Sequence, residues 1–332
     1  MSLHTDQNHA ERGVILLTAM LMVAAMSAVA VAVMDDIRFG LRRATNVALY
    51  NQAYWYGLGA ETLSRRVIFR DWDRDNTRST RNDLWAQQGV RFPIEGGVIE
   101  GVISDGSNCF NLNSVVSAED AGAYARNKAG ADRFYRLLTA LDIDAAGAGA
   151  LTEALVDWID ADDAPGLNGA EDYDYSIAKP PYRTGAALLA DISELRAISG
   201  FSSEIYRVIA PHVCVLPTTR ANILNINTLL ERNAPLLVAL AGNDLSVSQA
   251  EEIIAARPVD GYDDVEVFWG QDGLNQINIE EDVKALTGLL TRYYSLAARV
   301  VYNGAYFELH SQLELTGAGQ VNVVSRRFGA LD

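Results

Sequence analysis

Cysteine and histidine are scarce in this 332-residue chain, which has two cysteines and four histidines. Neither a CxxC pair nor any other Cys/His spacing that would support a zinc site is present. The two cysteines, Cys109 and Cys214, form an even pair, which favours a disulfide in a domain outside the cytoplasm. Two buried thiols that act as small apolar side chains are the alternative interpretation.

Positive charge is also in short supply, because 27 Lys and Arg residues face 43 Asp and Glu residues and the formal net charge is −16. An acidic surface repels phosphate backbones, so the chain lacks the electrostatic footprint of a nucleic-acid-binding protein. Cation binding is compatible with this charge. With 49% hydrophobic and 21% charged residues, the composition excludes a disordered or low-complexity chain and allows two domains with a substantial core.

Charged residues are missing altogether from residues 14–34. As a helix this run covers about 30 Å, the thickness of the hydrocarbon core of a bilayer, and it therefore predicts a membrane-spanning helix. The polar residues before it end in Arg12-Gly13. The candidate processing point thus precedes the apolar core, whereas a secretory signal is cut beyond it. An ordinary single-pass anchor is the alternative.

Apolar residues at helical spacing continue past this run, at Ile37, Leu41, Ala44, Ala48 and Trp55. One long helix is therefore predicted to reach Ala60 or beyond and to pack one stripe of its second half against a sheet. The aromatic residues 54–56 lie too far from the apolar run for an interfacial belt, so we expect them in the core. Alternating acids and arginines predict a solvated loop over residues 71–83.

Antiparallel strands are predicted towards both ends of the remaining chain. Two early strands, residues 91–94 and 98–103, are separated by a glycine turn. A hairpin signal at Asn303-Gly304 precedes a late strand, and a last strand follows at residues 321–324. One face of the late strand carries Phe307, Leu309, Leu313 and Leu315. We expect the late strands to complete the early sheet and to cover the long helix, which gives an α+β fold.

Helical spacing between the two sets of strands predicts an inserted helical domain. One predicted helix face carries Phe134, Leu137, Leu138 and Leu141, and a second carries Leu151, Leu155 and Trp158. Helix-capping pairs are expected at Ser117 with Asp120 and at Asp191 with Glu194. The insertion lasts until Cys214, so a disulfide from Cys109 would close its base.

An acidic stretch inside this insertion contains seven carboxylates and no lysine or arginine: Asp157, Asp160, Asp162, Asp163, Glu171, Asp172 and Asp174. Such crowding is unfavourable unless water or a cation screens the charges. Oxygen ligands in a loop with Gly166 and Gly169 suit calcium. The spacing is not that of an EF-hand, because Ala164 and Pro165 stand where an acid or amide and a glycine are needed. A solvated acidic loop is the alternative.

Residues 224–258 have the pattern of a helix-hairpin-helix, in which Ser246 and Gln249 would cap the second helix. In DNA-binding versions the backbone amides of the turn meet a phosphate. Here Asp244 lies in the turn and Glu251 and Glu252 follow it, so an anion would be repelled. We interpret the segment as a packing module, with DNA binding as the alternative.

Several of these motifs resemble those of one protein family. The Arg12-Gly13 junction resembles the signal that prepilin peptidases cut after the glycine. Thr18 occupies the fifth position after Gly13, where most pilin-like subunits have glutamate, and in this respect the chain resembles the minor pseudopilin K of type II secretion systems. Five further motifs resemble those of the same family. They are Phe110-Asn111-Leu112-Asn113, Asp-Trp-Ile-Asp-Ala-Asp at 157–162, Gly-Ala-Glu-Asp at 169–172, Pro-Pro-Tyr-Arg at 180–183 and Asp-Ile-Ser-Glu-Leu at 191–195.

The resemblance implies a pilin-like α+β fold, a leader cut between Gly13 and Val14, and methylation of the new N-terminus. It also implies calcium bound by Asp160, Asp162, Glu171 and Asp172, with Asp163 and Asp174 as further ligands. The expected segments are the leader at 1–13, the transmembrane and assembly helix at 14–34, the helix continuation and early strands at 35–113, the inserted helical domain at 114–213, a strand with the helix-hairpin-helix-like segment at 214–290, and the closing strands at 291–332.

The function that the resemblance implies is non-enzymatic. The chain would be a single-pass inner-membrane protein with its body in the periplasm, which starts and caps a type II secretion pseudopilus together with the I and J minor pseudopilins on an inner-membrane assembly platform. A glutamate at the fifth position would neutralise the N-terminal ammonium of a neighbour in an apolar bundle. Because Thr18 has no carboxylate, this subunit should not dock below another one, which suits the tip. A membrane-tethered DNA-binding module of a pilin-like uptake system is the alternative.

Overall fold

The structure, a computed structural model, describes residues 6–87, 89–119, 122–242 and 244–329. Its helices are α1 (Asp6–Arg74), α2 (Lys128–Ala140), α3 (Ala145–Ile159), α4 (Asp172–Ser176), α5 (Ser203–Ile209), α6 (Ala234–Ala241), α7 (Val247–Ala255), α8 (Val265–Trp269) and α9 (Glu281–Lys284). Its strands are β1 (Val90–Ile94), β2 (Gly97–Asp105), β3 (Phe110–Asn111), β4 (Val116–Ala118), β5 (Tyr124–Arg126), β6 (Val213–Cys214), β7 (Leu224–Asn225), β8 (Thr287–Gly288), β9 (Tyr293–Tyr302), β10 (Ala305–Leu315) and β11 (Val321–Phe328). Short 3-10 helices include Leu84–Ala86, Leu112–Val115, Ile192–Ala197, Ala210–His212 and Glu231–Asn233.

Helix α1 projects from the body in its first half and is packed against the sheet in its second half, as predicted from the helical spacing. The side chains of residues 13–48 are exposed. Further along, the buried stripe consists of Ala53, Glu61, Ser64, Ile68 and Asp71. Gly57 belongs to the same stripe because a Cβ atom there would overlap the ring of Phe307. The absence of a side chain at this position lets the helix approach the sheet closely.

The aromatic residues 54–56 only partly fulfil the prediction that they lie in the core. Tyr54 and Tyr56 pack against the sheet, with ring centroids 5.6 Å from Phe307 and 5.4 Å from Tyr302. Trp55, however, is 65% exposed, so its predicted burial is wrong. The buried stripe begins two residues earlier, and two residues along a helix lead to its opposite side.

The prediction of a solvated loop over residues 71–83 is also wrong in part. Helix α1 continues to Arg74, and Asp71 is buried. Its carboxylate accepts the backbone N–H of Trp85 at 2.9 Å. The polar sequence therefore contains a structural acid that holds the start of the next 3-10 helix.

The early and late strands form one antiparallel sheet of five strands in the order β1-β2-β9-β10-β11, as expected. The hairpin between β9 and β10 turns at Asn303 and Gly304, whose φ angles of 43° and 84° are those of the tight turn that this residue pair favours. The predicted buried face of β10 is confirmed, since Leu309 and Leu313 are fully buried. This face packs against α1.

The inserted helices have the predicted buried faces, with Phe134, Leu138 and Leu155 fully buried. The predicted cap at Ser117 is wrong, because Ser117 lies in β4, which pairs with β5, and Asp120 lies outside the described residues. Helix α2 instead begins after Asn127, whose side chain accepts the N–H of Gly130. The Asp191 and Glu194 capping box is present, on the 3-10 helix Ile192–Ala197 rather than an α-helix.

Two parts of the body share one local architecture. The sequence pattern Asn-x-apolar-Asn-apolar-Asn-Ser/Thr occurs at residues 108–114 and again at residues 222–228. In each case a two-residue strand within the pattern, β3 or β7, pairs in parallel with a strand at the end of the unit, β6 or β8. We call residues 108–216 the first module and residues 222–289 the second module.

Equivalent hydrogen bonds recur in the two modules. The last asparagine of each pattern exchanges two bonds with a later backbone unit, Asn113 with Leu189 and Asn227 with Tyr262. Two residues beyond each of these units an aspartate caps the next helix, Asp191 in the first module and Asp264 in the second. The modules are therefore two copies of one helical unit.

The two modules differ in the connection after their second helix. In the second module residues 256–261 suffice to join α7 to Tyr262, whereas in the first module residues 160–188 join α3 to Leu189. The latter segment, which we call the acidic excursion, contains all of the predicted calcium ligands. The second module shows that the unit can be closed without such an excursion.

Candidate functional site

The acidic excursion is folded back over the end of helix α3. Asp157, in the last turn of that helix, is buried and accepts the N–H of Gly166 at 3.1 Å through both of its carboxylate oxygens. A Cβ atom on Gly169 would overlap this carboxylate, so the close approach requires glycine there. Sequence reasoning gave Asp157 no metal role, yet its carboxylate organises the loop.

Two predicted ligands, Asp160 and Glu171, are buried without compensation. Asp160 is 7% exposed and Glu171 is 4% exposed. One oxygen of each carboxylate, Asp160 Oδ1 and Glu171 Oε1, is buried and has no hydrogen-bond partner within the described residues. Orphaned buried oxygens are costly unless a donor or a cation satisfies them.

The pKa values of these carboxylates also indicate that their negative charge is poorly compensated. Burial, with the charges of Asp162 and Asp157 added to it, raises the pKa of Asp160 to about 7. Burial, with the charges of Asp157 and Asp160, raises the pKa of Glu171 to about 7. Burial also raises the pKa of Asp157 to about 6, against the hydrogen bonds from Gly166 and Ala170. The cluster thus concentrates negative charge that its surroundings do not neutralise.

The remaining predicted ligands have other partners. Asp172 accepts the backbone N–H and the hydroxyl of Thr184 at 2.8 and 2.9 Å, and these bonds hold its pKa below the usual value. Asp162 accepts the N–H of Ala164, and Asp174 accepts the N–H of Glu171. Asp163 is exposed.

As the side chains stand, no group of three or more His, Cys, Asp or Glu side chains in the described part of the chain is arranged to hold a metal ion. The donor chemistry nevertheless fits a hard cation, because Asp160 and Glu171 present unsatisfied oxygens in an uncompensated acidic cluster. Among the predicted ligands, Asp160 and Glu171 are therefore the strongest candidates to bind a cation. Asp172 and Asp174 instead form hydrogen bonds that hold the local structure.

An aromatic cluster fixes the far side of the excursion. The rings of Trp158 and Tyr175 meet edge to face at 5.1 Å, and Tyr182 lies 5.2 Å from Tyr175. The Tyr175 hydroxyl accepts the N–H of Ser199 at 3.1 Å. Helix α4, which follows Glu171, is thereby attached to the core of the first module.

Cys109 and Cys214 are joined by a disulfide, with their Cα atoms 5.7 Å apart. The bond connects residues 105 positions apart, next to the parallel pair of strands β3 and β6. It therefore closes the base of the first module against the end of the sheet.

The predicted membrane segment is the exposed first part of α1. From Gly13 onward this helix is long and apolar enough to cross a membrane, and none of its apolar window is buried within the protein. The Thr18 hydroxyl bonds to the carbonyl oxygen of Ile15 at 2.9 Å, so it needs no partner from outside the helix. Val14 and Gly13 lie within the helix, while residues 1–5 of the predicted leader lie outside the described residues.

The helix-hairpin-helix-like segment is built into the second module. Ser246 and Gln249 form the predicted capping box at the start of α7. The apolar sides of α6 and α7 are buried in a common cluster, whereas Glu251 and Glu252 are exposed. Asn243, in the turn, lies outside the described residues. The segment is a packing unit with an acidic outer surface.

A long N-terminal helix, exposed and apolar in its first half and packed on an antiparallel sheet in its second half, defines a pilin-like protein with one candidate membrane span. Comparison with known proteins identifies the family. Residues 108–218 and residues 224–289 match two family models, each described as protein K of the type II secretion system.

Similar proteins cover nearly the whole chain. It is 36% identical over 320 residues to the type II secretion system protein K of Pectobacterium carotovorum subsp. carotovorum, covering 96% of this chain and 97% of the relative. It is also 36% identical over 323 residues to that of Klebsiella pneumoniae, covering 97% and 98%. A chain in the crystal structure of the GspK-GspI-GspJ complex from enterotoxigenic Escherichia coli is similar with a TM-score of 0.76 and 27% identity, covering 87% of this chain and 100% of that one.

The chain belongs to the type II secretion system protein K family. It is a minor pseudopilin, and the predicted α+β pilin-like fold with an inserted helical body is confirmed. The alternative of a DNA-binding uptake module has no support from these comparisons.

Proposed function

We propose that this protein forms the tip of the type II secretion pseudopilus, where it starts and caps the fibre as a structural subunit without enzymatic activity. The observation that carries the proposal is the similarity over 87% of the chain to a chain of the GspK-GspI-GspJ complex. Subunits that resemble I and J would pack their apolar helices against the exposed first half of α1.

The position at the tip follows from Thr18 and from the size of the body. A pilin-like subunit that docks below another one needs a carboxylate to neutralise the N-terminal ammonium of its neighbour in the apolar bundle. Thr18 has none, and its hydroxyl is already bonded within the helix. The two helical modules widen the body beyond the sheet, so they would block the addition of a subunit above it.

The processing and the location that we propose are those of a pseudopilin. A prepilin peptidase would cut after Gly13, and the mature, methylated N-terminus would be Val14. The helix at residues 14–34 would cross the inner membrane, with the body in the periplasm and assembly driven from the inner-membrane platform. The mass of the membrane-extracted protein tests this step, because an intact leader would contradict it.

Calcium would be held by the acidic excursion. Asp160 and Glu171 supply the unsatisfied buried oxygens, and Asp157 and Asp162 contribute to the same negative field. A bound calcium ion would neutralise this charge. Asp157 holds the loop against helix α3 through Gly166, and Asp172 and Asp174 position the flanking segments. Asp163 is exposed and available as a further ligand.

Complementation tests the function directly. In a type II secretion host that lacks its own protein K, expression of this chain should restore export of a secreted protein, and the I and J subunits should co-purify with it. Normal expression at the membrane without restored export and without co-purification would overturn the proposal.

A further inference from the structure

A cavity of about 430 Å³ lies where the five-stranded sheet, the disulfide and the second module meet. We call it the junction cleft. Ser295 and Gln312 from the sheet line one part of it, and the bonded cysteines line another. Within the described residues, the side chains of Ser295 and Gln312 make no hydrogen bond, so their polar groups are available to a ligand.

Two arginines, Arg81 and Arg232, also line the junction cleft. Both are exposed, and in the part of the chain that the structure describes neither forms an ion pair. They belong to separate elements, since Arg81 follows α1 and Arg232 lies in the 3-10 helix Glu231–Asn233. On a chain with a net charge of −16, two unpaired guanidinium groups at one cleft are a local reversal of charge.

The lining residues that the structure describes include one carboxylate, Asp105, and it is already saturated. Its Oδ2 accepts the hydroxyls of Thr228 and Thr291. Its Oδ1 accepts the backbone N–H groups of Ser107 and Asn108 at 2.6 and 3.2 Å. Asp105 therefore does not serve as the counter-ion of either arginine, and the cleft keeps an excess of positive charge.

The charges of Arg81 and Arg232 act on two neighbouring titratable groups. Burial and the charge of Arg81 lower the pKa of Arg257, which donates to the carbonyl oxygen of Leu229. Burial and the charge of Arg232 lower the pKa of His212. Arg257 is therefore a further cationic group near Arg81, whereas His212, with its lowered pKa, is mainly neutral at neutral pH and adds no charge. The acidic excursion belongs to a different part of the first module.

We propose that the junction cleft binds an acidic segment of a partner protein, through a carboxylate placed between Arg81 and Arg232. Guanidinium groups are the side chains best suited to carboxylates, because their planar donors match both oxygens. The Gln312 amide and the Ser295 hydroxyl offer the additional polar contacts that fix orientation. A cavity of this size accepts a small number of side chains and not a folded domain.

Binding of a labelled hexaglutamate peptide to the detergent-solubilised full chain at low ionic strength tests the site. The wild-type protein should bind it despite its own negative charge, and the variant Arg81→Gln/Arg232→Gln should bind it at least tenfold more weakly. Because both arginines are exposed, this variant should unfold at the wild-type temperature. The same affinity in the variant as in the wild type would overturn the proposal.

A charge-matched control is available on helix α1. Arg66 and Arg70 are exposed and do not line the cleft, so Arg66→Gln/Arg70→Gln removes the same number of charges outside it. This control should change hexaglutamate binding less than twofold. An equal loss in the control, or no hexaglutamate binding by the wild type, would show that the cleft has no specific affinity for carboxylates.

Discussion

Glu61 in helix α1 and Arg326 in strand β11 are joined by two parallel hydrogen bonds. The distances are 2.7 Å from Arg326 Nε to Glu61 Oε2 and 2.8 Å from Arg326 Nη2 to Glu61 Oε1. Glu61 is 2% exposed, and the Ser311 hydroxyl of the neighbouring strand β10 donates to the same carboxylate at 2.7 Å. The second half of helix α1 and the last strand of the sheet are therefore held together by one buried acid.

We expect the variant Glu61→Gln to be destabilised by about 1–3 kcal/mol at neutral pH, because a charge-assisted pair is lost and Arg326 keeps an unpaired charge near the core. Burial alone would raise the pKa of Glu61, but the hydrogen bonds from Arg326 and Ser311 and the charge of Arg326 leave it below the usual value. The stabilisation is therefore complete above the unfolded pKa of roughly 4.3 and is lost as the pH falls through the folded value.

Thermal unfolding of both proteins at several pH values between neutral and acidic checks this expectation, since the difference between them should shrink below about pH 4. Asp132→Asn is a suitable control, because it removes one partner of the exposed Lys128 and Asp132 pair. Exposed pairs contribute about 0–1 kcal/mol. A pH-independent difference for Glu61→Gln would contradict the assignment.

Local sequence patterns predicted the elements of this fold well. The Asn303-Gly304 turn, the alternation in β10 and the Ser246 cap each depend on a few neighbouring residues, and all three have their predicted form. The side that a long helix buries is harder to predict, as Trp55 shows. Which stripe is buried depends on the sheet partner, here Phe307 above Gly57, which is distant in sequence.

The acidic excursion shows a second limit of sequence reasoning. The family resemblance put Asp172 among the first ligands, but Thr184, twelve positions away, donates hydrogen bonds to its carboxylate. Asp157 was left out of the predicted ligands and does form hydrogen bonds, but its partner, Gly166, depends on how the loop folds. One signal was present in the sequence and was missed: the repeated asparagine pattern at residues 108–114 and 222–228 predicts two equivalent modules.

Loss of the disulfide should destabilise the body strongly. Cys109 and Cys214 are 105 positions apart, and on the loop-entropy scheme a bond that closes a loop of this length contributes about 4–5 kcal/mol. We expect Cys109→Ser/Cys214→Ser to lower the unfolding temperature measurably. Reductant should lower the unfolding temperature of the wild type and leave that of the double variant unchanged. An unchanged unfolding temperature of the wild type in reductant would show that the bond does not stabilise the body.

Calcium should raise the unfolding temperature of the wild-type protein, and a chelator should reverse the change. A ligand at a hundred times its dissociation constant stabilises the folded state by about 2.7 kcal/mol. In Asp160→Asn/Glu171→Gln we expect this response to disappear. Without calcium, the same variant should be at least as stable as the wild type, because two uncompensated buried carboxylates are gone.

The control for this experiment is Glu204→Gln, an exposed change in helix α5, which should leave the calcium response as it is in the wild type. A full calcium response in Asp160→Asn/Glu171→Gln would assign the metal to other residues. No response in the wild type would show that the acidic excursion does not bind calcium.

Thr18→Glu should allow the subunit to enter the shaft of a fibre. The wild-type hydroxyl is bonded to Ile15 and offers no charge to the N-terminal ammonium of a neighbour, whereas a glutamate at this position supplies the missing carboxylate to the apolar bundle. In cells that overproduce pseudopili, antibody labelling should find the wild-type protein at fibre ends and the variant also along the shaft. Thr18→Gln has the length of glutamate without its charge and should stay at the ends. Shaft labelling of the wild type, or end labelling alone for Thr18→Glu, would show that the residue at this position does not decide where the subunit is placed.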